Sequence, residues 1–186
     1  WFKFNTLKFI NEESNKGKLI GTQIHEAIQS FIETGTAKID TQYDEEVTNA
    51  LKSFMLFRKE HPDIVLKSSE MPLTSINHQF NGTIDCIGEN IIFDWKTGKC
   101  KDKDIPDIYD EYKYQVSAYV NLYNEAIKPI LPIERAIIVA VAKDKIAYNM
   151  YEMEKQEIEE SFREVFLSAL RILNYKRRPK CPTATT

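Results

Sequence analysis

The sequence predicts an α/β fold in which helices flank a mixed central β-sheet. The first observation behind this prediction is a pair of helical apolar patterns before residue 63, followed by apolar runs of strand length. The second is the element order, which is helices, three strands, a helix, two strands and a closing helix. The third is the composition, since 42% hydrophobic and 28% charged residues over 186 positions suit one domain with a sizeable core.

Two amphipathic helices are expected in residues 1–62. The first ends near Gly35, and its apolar face is formed by Ile24, Ala27, Ile28, Phe31 and Ile32. A second apolar stripe runs from Val47 to Phe57 and ends at His61-Pro62, because a proline disfavours helical backbone in the residue before it. We expect this helical part to form one compact domain with residues 63–186.

Three strands are predicted next. The segment Ile64–Ile76 is extended in character, and Pro72 indicates an edge position or a bend because proline cannot donate to a strand ladder. Phe80–Ile87 and Asn90–Thr97 are predicted to form a hairpin around the turn residues at 88–90. No Gly-rich phosphate loop occurs, so the sequence does not support a nucleoside-triphosphate or dinucleotide site.

The remaining chain alternates between helix and strand. A charged loop, Lys99–Asp107, precedes a helix from Tyr109 to Ala126. Arg135–Ala142 has the continuous apolar character of a central strand, and Lys145–Met153 is a further strand. Lys155–Tyr175 is predicted to be a long closing helix, and a basic tail follows with Lys176, Arg177, Arg178 and Lys180.

Net charge and cysteine usage exclude some classes of protein. A net charge of −3 argues against a protein that coats nucleic acid through bulk positive charge. A local basic groove or bound metal ions could still supply positive charge at one site. Cys86, Cys100 and Cys181 show neither metal-ligand spacing nor an even disulfide set, which favours a reducing compartment. The chain begins at Trp1 rather than methionine, so we expect the natural N-terminus and any targeting segment to be missing.

Two carboxylates and an ammonium interrupt the predicted hairpin. Side chains alternate along a strand, so Asp94 and Lys96 point the same way, and the hairpin would bring Asp85 beside them. Neighbouring carboxylates repel, and a hard cation such as Mg²⁺ removes that conflict. Lys96 could then orient or deprotonate a water molecule, or neutralise a phosphate. A solvated ion pair on an open sheet face is the alternative interpretation.

Four short motifs occur in an order that resembles the PD-(D/E)XK nuclease superfamily, in its RecB-like exonuclease branch. They are GTQIHEAI at 21–28, SEMPL at 69–73, Asp85 followed by DWKTGK at 94–99, and YQVSAY at 114–119. Within that branch the pattern is similar to exonucleases of mitochondrial genome maintenance and of phages and bacteria. The resemblance spans Gly21 to Tyr119 and implies a restriction-endonuclease-like core.

The resemblance also implies roles for individual residues. The metal ligands would be the side chains of His25, Asp85 and Asp94 and the backbone carbonyl of Trp95. Lys96 would be the catalytic lysine, and Glu70 would support the first strand or His25. Gln115 and Tyr119 lie one helical turn apart and would buttress the site or contact nucleic acid. The implied cofactor is Mg²⁺ or Mn²⁺, as one or two ions.

The implied activity is a metal-dependent DNA exonuclease that prefers single strands or free ends. Lys99, Lys101 and Lys103 would contact phosphates at the rim of the site. Two alternatives stay open, a structure-selective or sequence-specific endonuclease on the same fold and a catalytically silent DNA-binding or scaffold module. The intact set of Asp85, Asp94 and Lys96 argues against the silent module.

Further expectations concern cofactors, partners and location. Iron–sulfur relatives in this superfamily need four cysteines, so we expect no iron–sulfur cluster here. The expected partner is DNA, without a membrane, and the lack of a helicase motif places any helicase or recombination motor on another chain. We expect a cytoplasmic protein of bacterial or phage origin, with a mitochondrial location as the alternative.

Overall fold

The structure is a computed structural model that describes residues 12–36, 43–101 and 103–177. It begins with the two predicted helices, α1 (Glu12–Thr34) and α2 (Glu45–Glu60). Helix α1 ends at Gly35, which adopts the left-handed backbone conformation that favours glycine, with φ +71°. Helix α2 begins after Asp44, whose carboxylate accepts a hydrogen bond from the backbone N–H of Glu46.

A five-stranded mixed sheet forms the centre of the fold, and the predicted fold class is confirmed. Its strands are β1 (Leu66–Ser75), β2 (Phe80–Gly88), β3 (Ile92–Gly98), β4 (Ala136–Ala142) and β5 (Tyr148–Met153), in the spatial order β1-β2-β3-β4-β5. Only β3 and β4 pair in parallel, and the crossover between them contains helix α3 (Asp110–Ile127). Parallel neighbours need such a crossover, whereas the antiparallel pairs are joined by short turns.

Strand positions follow from the sequence pattern. Strand β1 lies at an edge of the sheet, which is where Pro72 is tolerated. Strand β4 is buried along its whole length between β3 and β5, as its continuous apolar run predicts. The hairpin between β2 and β3 is also present, and Asn90 takes up the positive φ of its turn.

Helices cover both faces of the sheet. On one face α1 and α2 bury Ile24, Ile28, Phe54 and Phe57 against Trp95 of β3. On the other face α3 packs against β2, β3 and β4 through a separate cluster that includes Ile84, Ile92, Val116, Tyr119 and Ile138. Full burial of one such side chain contributes about 1.5–3 kcal/mol, so the two clusters hold α1 and α3 firmly on opposite sides of β3.

The closing helix covers the predicted extent but is not a uniform α-helix. It consists of α4 (Lys155–Glu160), a π-helical segment (Ser161–Phe166) and α5 (Leu167–Lys176). Its buried aromatic rings, Phe162 and Phe166, stack at 5.5 Å and pack on α3 together with Phe80. Of the basic tail, Lys176 and Arg177 belong to the described residues, while Arg178, Lys180 and Cys181 lie outside them.

Among the described residues, no helix is long and apolar enough to cross a membrane. The predicted boundary at residue 62 falls in the short turn between α2 and β1.

Candidate active site

Strands β2 and β3 separate at Asp85, and this fork is the centre of the candidate site. Their ladder pairs Ile87 with Ile92 and Cys86 with Phe93, but it does not continue to Asp85. Instead the Asp85 carboxylate accepts a hydrogen bond of 2.9 Å from the backbone N–H of Trp95. A side chain therefore satisfies a backbone donor that a strand partner would otherwise satisfy, and the sheet opens at this point.

Asp94 and Lys96 lie on the same side of β3, next to the fork. The Lys96 ammonium is 2.5 Å from Oδ2 of Asp94. The Asp94 side chain is completely buried and that of Lys96 is 16% exposed, so the solvated-pair alternative is wrong. Apart from this ion pair, neither carboxylate oxygen of Asp94 accepts a hydrogen bond from the described residues. Such burial is costly unless a further partner binds.

Helix α1 and strand β1 bring two more ligand-type side chains to the fork. Nδ1 of His25 lies 3.7 Å from Oδ2 of Asp85. One ligand atom from each of His25, Glu70 and Asp85 can be chosen so that all three lie within 4.8 Å of one another. The sequence predicted only a supporting role for Glu70, whereas the structure brings its carboxylate into the same group as His25 and Asp85.

The backbone at Glu70 departs from a regular strand. Its φ is +50°, in the left-handed region, although it lies in the middle of β1. For a residue other than glycine this conformation costs about 1–3 kcal/mol, and such strain clusters at functional sites. The distortion lies where β1 runs alongside the fork, because Ser69 and Met71 pair with Cys86 and Ile84 on either side of Asp85.

Burial dominates the electrostatics of the site. It raises the pKa of Asp85 and of Asp94 to about 6, against the opposing effect of the Lys96 charge. Burial also lowers the pKa of His25, and the nearby Lys96 charge adds to that effect. The imidazole is therefore neutral at neutral pH, which is the form that binds metal ions.

Lys96 keeps its charge in this environment. Burial lowers its pKa, but the Asp94 and Asp85 carboxylates more than compensate and leave that pKa above the ordinary value of lysine. The ring of Tyr112 on α3 adds a cation–π contact, with 5.2 Å between the ammonium and the ring centroid. The sequence had not pointed to this tyrosine, because its role depends on α3 packing across the face of β3.

The donor set fits a hard divalent cation. Carboxylate oxygens are the ligands that Mg²⁺ prefers, and an imidazole also suits Mn²⁺. The buried Asp94 carboxylate is the strongest indication, because Lys96 is its only partner among the described residues and a cation would supply a second one. The Trp95 carbonyl is also on the fork side, because the N–H of the same residue points to Asp85 and the two backbone groups of one strand residue project to the same side.

The predicted pair on α3 is present beside the fork. Nε2 of Gln115 donates a hydrogen bond of 2.6 Å to the Tyr119 hydroxyl. Burial raises the pKa of Tyr119, and the charges of Asp94 and Asp85 raise it further, so the phenol stays neutral. Since Gln115 donates to the phenol oxygen, the phenolic O–H remains able to donate elsewhere.

Gly82 is a residue that the sequence prediction missed. A Cβ built at this position of β2 would lie 2.8 Å from Cε1 of Tyr119, which is too close for real atoms. Glycine therefore allows the Tyr119 ring to lie directly against the strand. The available signal was a glycine inside a strand pattern, which often marks a close approach of another group to the backbone.

The three predicted phosphate-contacting lysines all contact protein groups. Lys99 lies 2.8 Å from a Glu46 carboxylate oxygen, and Lys103 lies 3.3 Å from Asp107. Lys101 donates a hydrogen bond of 3.3 Å to the hydroxyl of Tyr109. These partners belong to α2 and to the region between β3 and α3, outside the carboxylate cluster at the fork.

Comparison with known proteins gives solved structures only. No family model and no curated protein matches the chain. The structure of SSO0001 has 17% identity and a TM-score of 0.41, covering 96% of this chain and 98% of that one. A phage related exonuclease from Haemophilus somnus 129PT has 11% identity and a TM-score of 0.43, with 91% of each chain covered. An alkaline exonuclease from Laribacter hongkongensis has 12% identity and a TM-score of 0.34, with 92% and 87% covered.

None of these likenesses is close enough to carry a functional conclusion. The class of fold follows instead from the strand order, the fork at Asp85 and the positions of the motif residues on α1, β1, β3 and α3. These features define an α/β fold in which helices flank both faces of a five-stranded mixed sheet.

Proposed function

We propose that this chain is a metal-dependent nuclease that hydrolyses phosphodiester bonds in DNA. The single observation that carries the proposal is the completely buried Asp94 carboxylate, which has no partner among the described residues except Lys96. A buried charge in this state lowers stability, so its presence calls for a ligand of opposite charge. The group formed by His25, Glu70 and Asp85 beside it supports a cation as that ligand.

In the proposal, His25, Asp85, Asp94 and the Trp95 carbonyl hold one or two ions of Mg²⁺ or Mn²⁺, and Glu70 either joins them or orients His25. A bound divalent cation would supply Lewis-acid chemistry, namely activation of water and polarisation of a phosphoryl oxygen. Above about pH 6 the Asp85 and Asp94 carboxylates are ionised and His25 is neutral, so none of them has to lose a proton before the cation binds.

Lys96 acts as a positive charge beside the reacting phosphate. The two carboxylates raise its pKa above the ordinary value, which supports an ammonium that neutralises charge rather than an amine that accepts a proton. The Tyr112 ring and the Asp94 carboxylate limit the positions that its flexible side chain can take. Tyr119, with Gln115 donating to its oxygen, would present its O–H towards the carboxylates or the nucleic acid.

The finer proposal is an exonuclease that prefers single strands or free ends. It is supported by the sequence resemblance, with α1, α2 and the loop of Lys99, Lys101 and Lys103 as the rim through which a strand end would enter. The three lysines would contact phosphates there by exchanging their present protein partners for the backbone of the strand.

The proposal is tested with end-labelled linear single-stranded and double-stranded DNA and a closed single-stranded circle of the same sequence. Each is incubated with Mg²⁺, Mn²⁺ or EDTA. We expect linear single strands to be degraded with either metal, the circle to survive, and EDTA to stop the reaction. Cutting of the circle would replace the exonuclease proposal by the endonuclease alternative. No cleavage of any substrate with any metal would overturn the nuclease proposal itself.

A further inference from the structure

Two tyrosine rings link the catalytic lysine to the surface of the molecule. Tyr112 on α3 lies under the Lys96 ammonium, with 5.2 Å between the ammonium and the ring centroid. The ring of Tyr109, just before α3, packs edge-to-face against Tyr112 with centroids 5.4 Å apart. Tyr109 is 42% exposed, so the series that starts at the buried Lys96 ends at an accessible aromatic ring.

A lysine stands at the outer end of this series. The ammonium of Lys101 lies 5.8 Å from the Tyr109 ring centroid and 3.3 Å from its hydroxyl. A surface cation–π contact contributes only about 0.5–1 kcal/mol, so an incoming group can displace it at small cost. An exposed tyrosine beside a lysine is the combination that holds a base by stacking and its phosphate by charge.

The charges around Tyr109 favour stacking as the main source of binding. Lys103 pairs with Asp107 and Lys113 with Asp110, so carboxylates lie next to cations on both sides of the tyrosine. Carboxylates repel a phosphate backbone, and the paired cations have less attraction to offer. A strand that reaches Lys96 by this route therefore gains more from its bases than from its phosphates.

We propose that Tyr109 is a stacking platform for an unpaired base of the strand whose phosphate reaches Lys96. The inference rests on the proposed nuclease function and specifies the recognised chemistry, an exposed nucleobase rather than a phosphate backbone alone. A base-paired nucleotide is already stacked on its neighbours within the duplex, so the platform would select single-stranded ends. Tyr112 supports the platform and also contacts Lys96, so a change at Tyr109 is the cleaner test.

The test measures binding of fluorescent oligonucleotides in Ca²⁺, a hard cation that oxygen ligands accept, at a fixed salt concentration. One probe is a short oligothymidylate, and the other is an abasic strand with the same number of phosphates. Tyr109→Leu removes the ring and keeps apolar bulk, whereas Tyr109→Phe keeps the ring and removes only the hydroxyl contact with Lys101. The Tyr109 side chain makes no helix-capping hydrogen bond, so neither variant removes a cap, and melting temperatures verify folding.

We expect the wild type and Tyr109→Phe to bind the oligothymidylate more tightly than the abasic strand. Tyr109→Leu should bind the oligothymidylate roughly fivefold or more weakly, as expected when one base has no ring to stack on, and the abasic strand as the wild type does. Equal wild-type affinity for both probes, or full affinity in a folded Tyr109→Leu variant, would overturn the platform. Cleavage by the wild type in Mg²⁺ is measured separately. If cleavage occurs without base-dependent binding, the stacking platform is wrong and the nuclease proposal stands. If binding depends on the bases but no cleavage occurs, the nuclease proposal is wrong.

Discussion

Asp94 with Lys96 and Asp107 with Lys103 are the same pair of residue types in opposite surroundings. The first pair is buried at the fork of the sheet, and the Asp94 oxygens have no other partner among the described residues. The second lies in the loop after β3, where the Lys103 side chain is 72% exposed. An exposed pair contributes about 0–1 kcal/mol, whereas burying an ion costs several kcal/mol before any attraction is counted.

The difference between the buried and the exposed pair indicates which charged residues are present to bind a ligand. The Lys103 pair persists because water solvates both partners, so it needs no other explanation. The Asp94 pair lies in a site where burial raises the pKa of two carboxyl groups at once. Keeping both carboxylates there lowers the stability of the chain, which is expected where they serve a function. Substitution of the buried pair should therefore change metal binding and stability, whereas substitution of the exposed pair should change neither.

The largest effect is expected from Asp94→Asn, with Asp107→Asn as the matched control. Loss of this proposed metal ligand should weaken Mn²⁺ binding by more than about tenfold and abolish cleavage, since loss of a residue that only orients a ligand already costs about 10-fold to 100-fold. The control should keep both properties. Calorimetry gives the affinity, and an unchanged Mn²⁺ affinity in Asp94→Asn would show that the metal site has been misplaced.

Lys96→Ala should have the next largest effect, with Lys103→Ala as its control. We expect kcat to fall by roughly 10²–10⁴, as for loss of an acid–base or electrostatic group, while binding of Mn²⁺ and DNA remains. Single-turnover cleavage measures the chemical step, and calorimetry measures metal binding in the same preparation. Cleavage at the wild-type rate by Lys96→Ala would remove this lysine from the reaction.

Stability of the metal-free protein should depend on pH through Asp94. Its pKa is raised to about 6 in the folded state, so its contribution to stability is fully present below about pH 4 and is lost as the pH rises through 6. Asp94→Asn lacks this titration. The Tm of the variant minus that of the wild type should therefore increase between about pH 4 and about pH 7 and then level off.

The shift should reach several degrees, because each kcal/mol changes Tm by about 2–4 °C for a chain of this size. His25, whose pKa is lowered, contributes with the opposite sign, and Asp85, whose pKa is also raised to about 6, contributes with the same sign as Asp94. Both residues are present in both proteins, so the difference in Tm reports mainly on Asp94. Thermal melts in EDTA measure the effect. A difference that is constant with pH would contradict the buried, ionised Asp94.

The smallest effect is expected from the loop. Substitution of Lys99, Lys101 and Lys103 together by Gln should weaken binding of single-stranded DNA and leave kcat nearly unchanged. The dependence of log affinity on log salt should become flatter by at most about 0.7 for each phosphate that the variant no longer neutralises. An unchanged salt dependence would show that these lysines do not contact phosphates and make only the protein contacts seen in the structure.

Local patterns in the sequence were sufficient for most of the fold. Apolar spacing predicted α1, α2, α3 and the extent of the closing helix, and the short apolar runs predicted the five strands. The π-helical segment Ser161–Phe166 was not predictable in this way, because its phenylalanines follow ordinary helical spacing. The wider turns there accompany the packing of Phe162 and Phe166 against α3, a contact between segments far apart in sequence.

The candidate site, like the fold, was predictable from the sequence only in part. The sequence by itself determined which donors are available, the helix or strand on which each lies, and that Asp94 and Lys96 share a face, because these depend on residue type and local periodicity. Only the tertiary structure decided that Asp94 is buried with no partner except Lys96 among the described residues. It also decided that the Asp85 carboxylate accepts a hydrogen bond from the Trp95 N–H, and that Glu70 lies near His25. Burial and desolvation arise when α1 and α3 pack on opposite faces of β3, and no local pattern of residues encodes that packing.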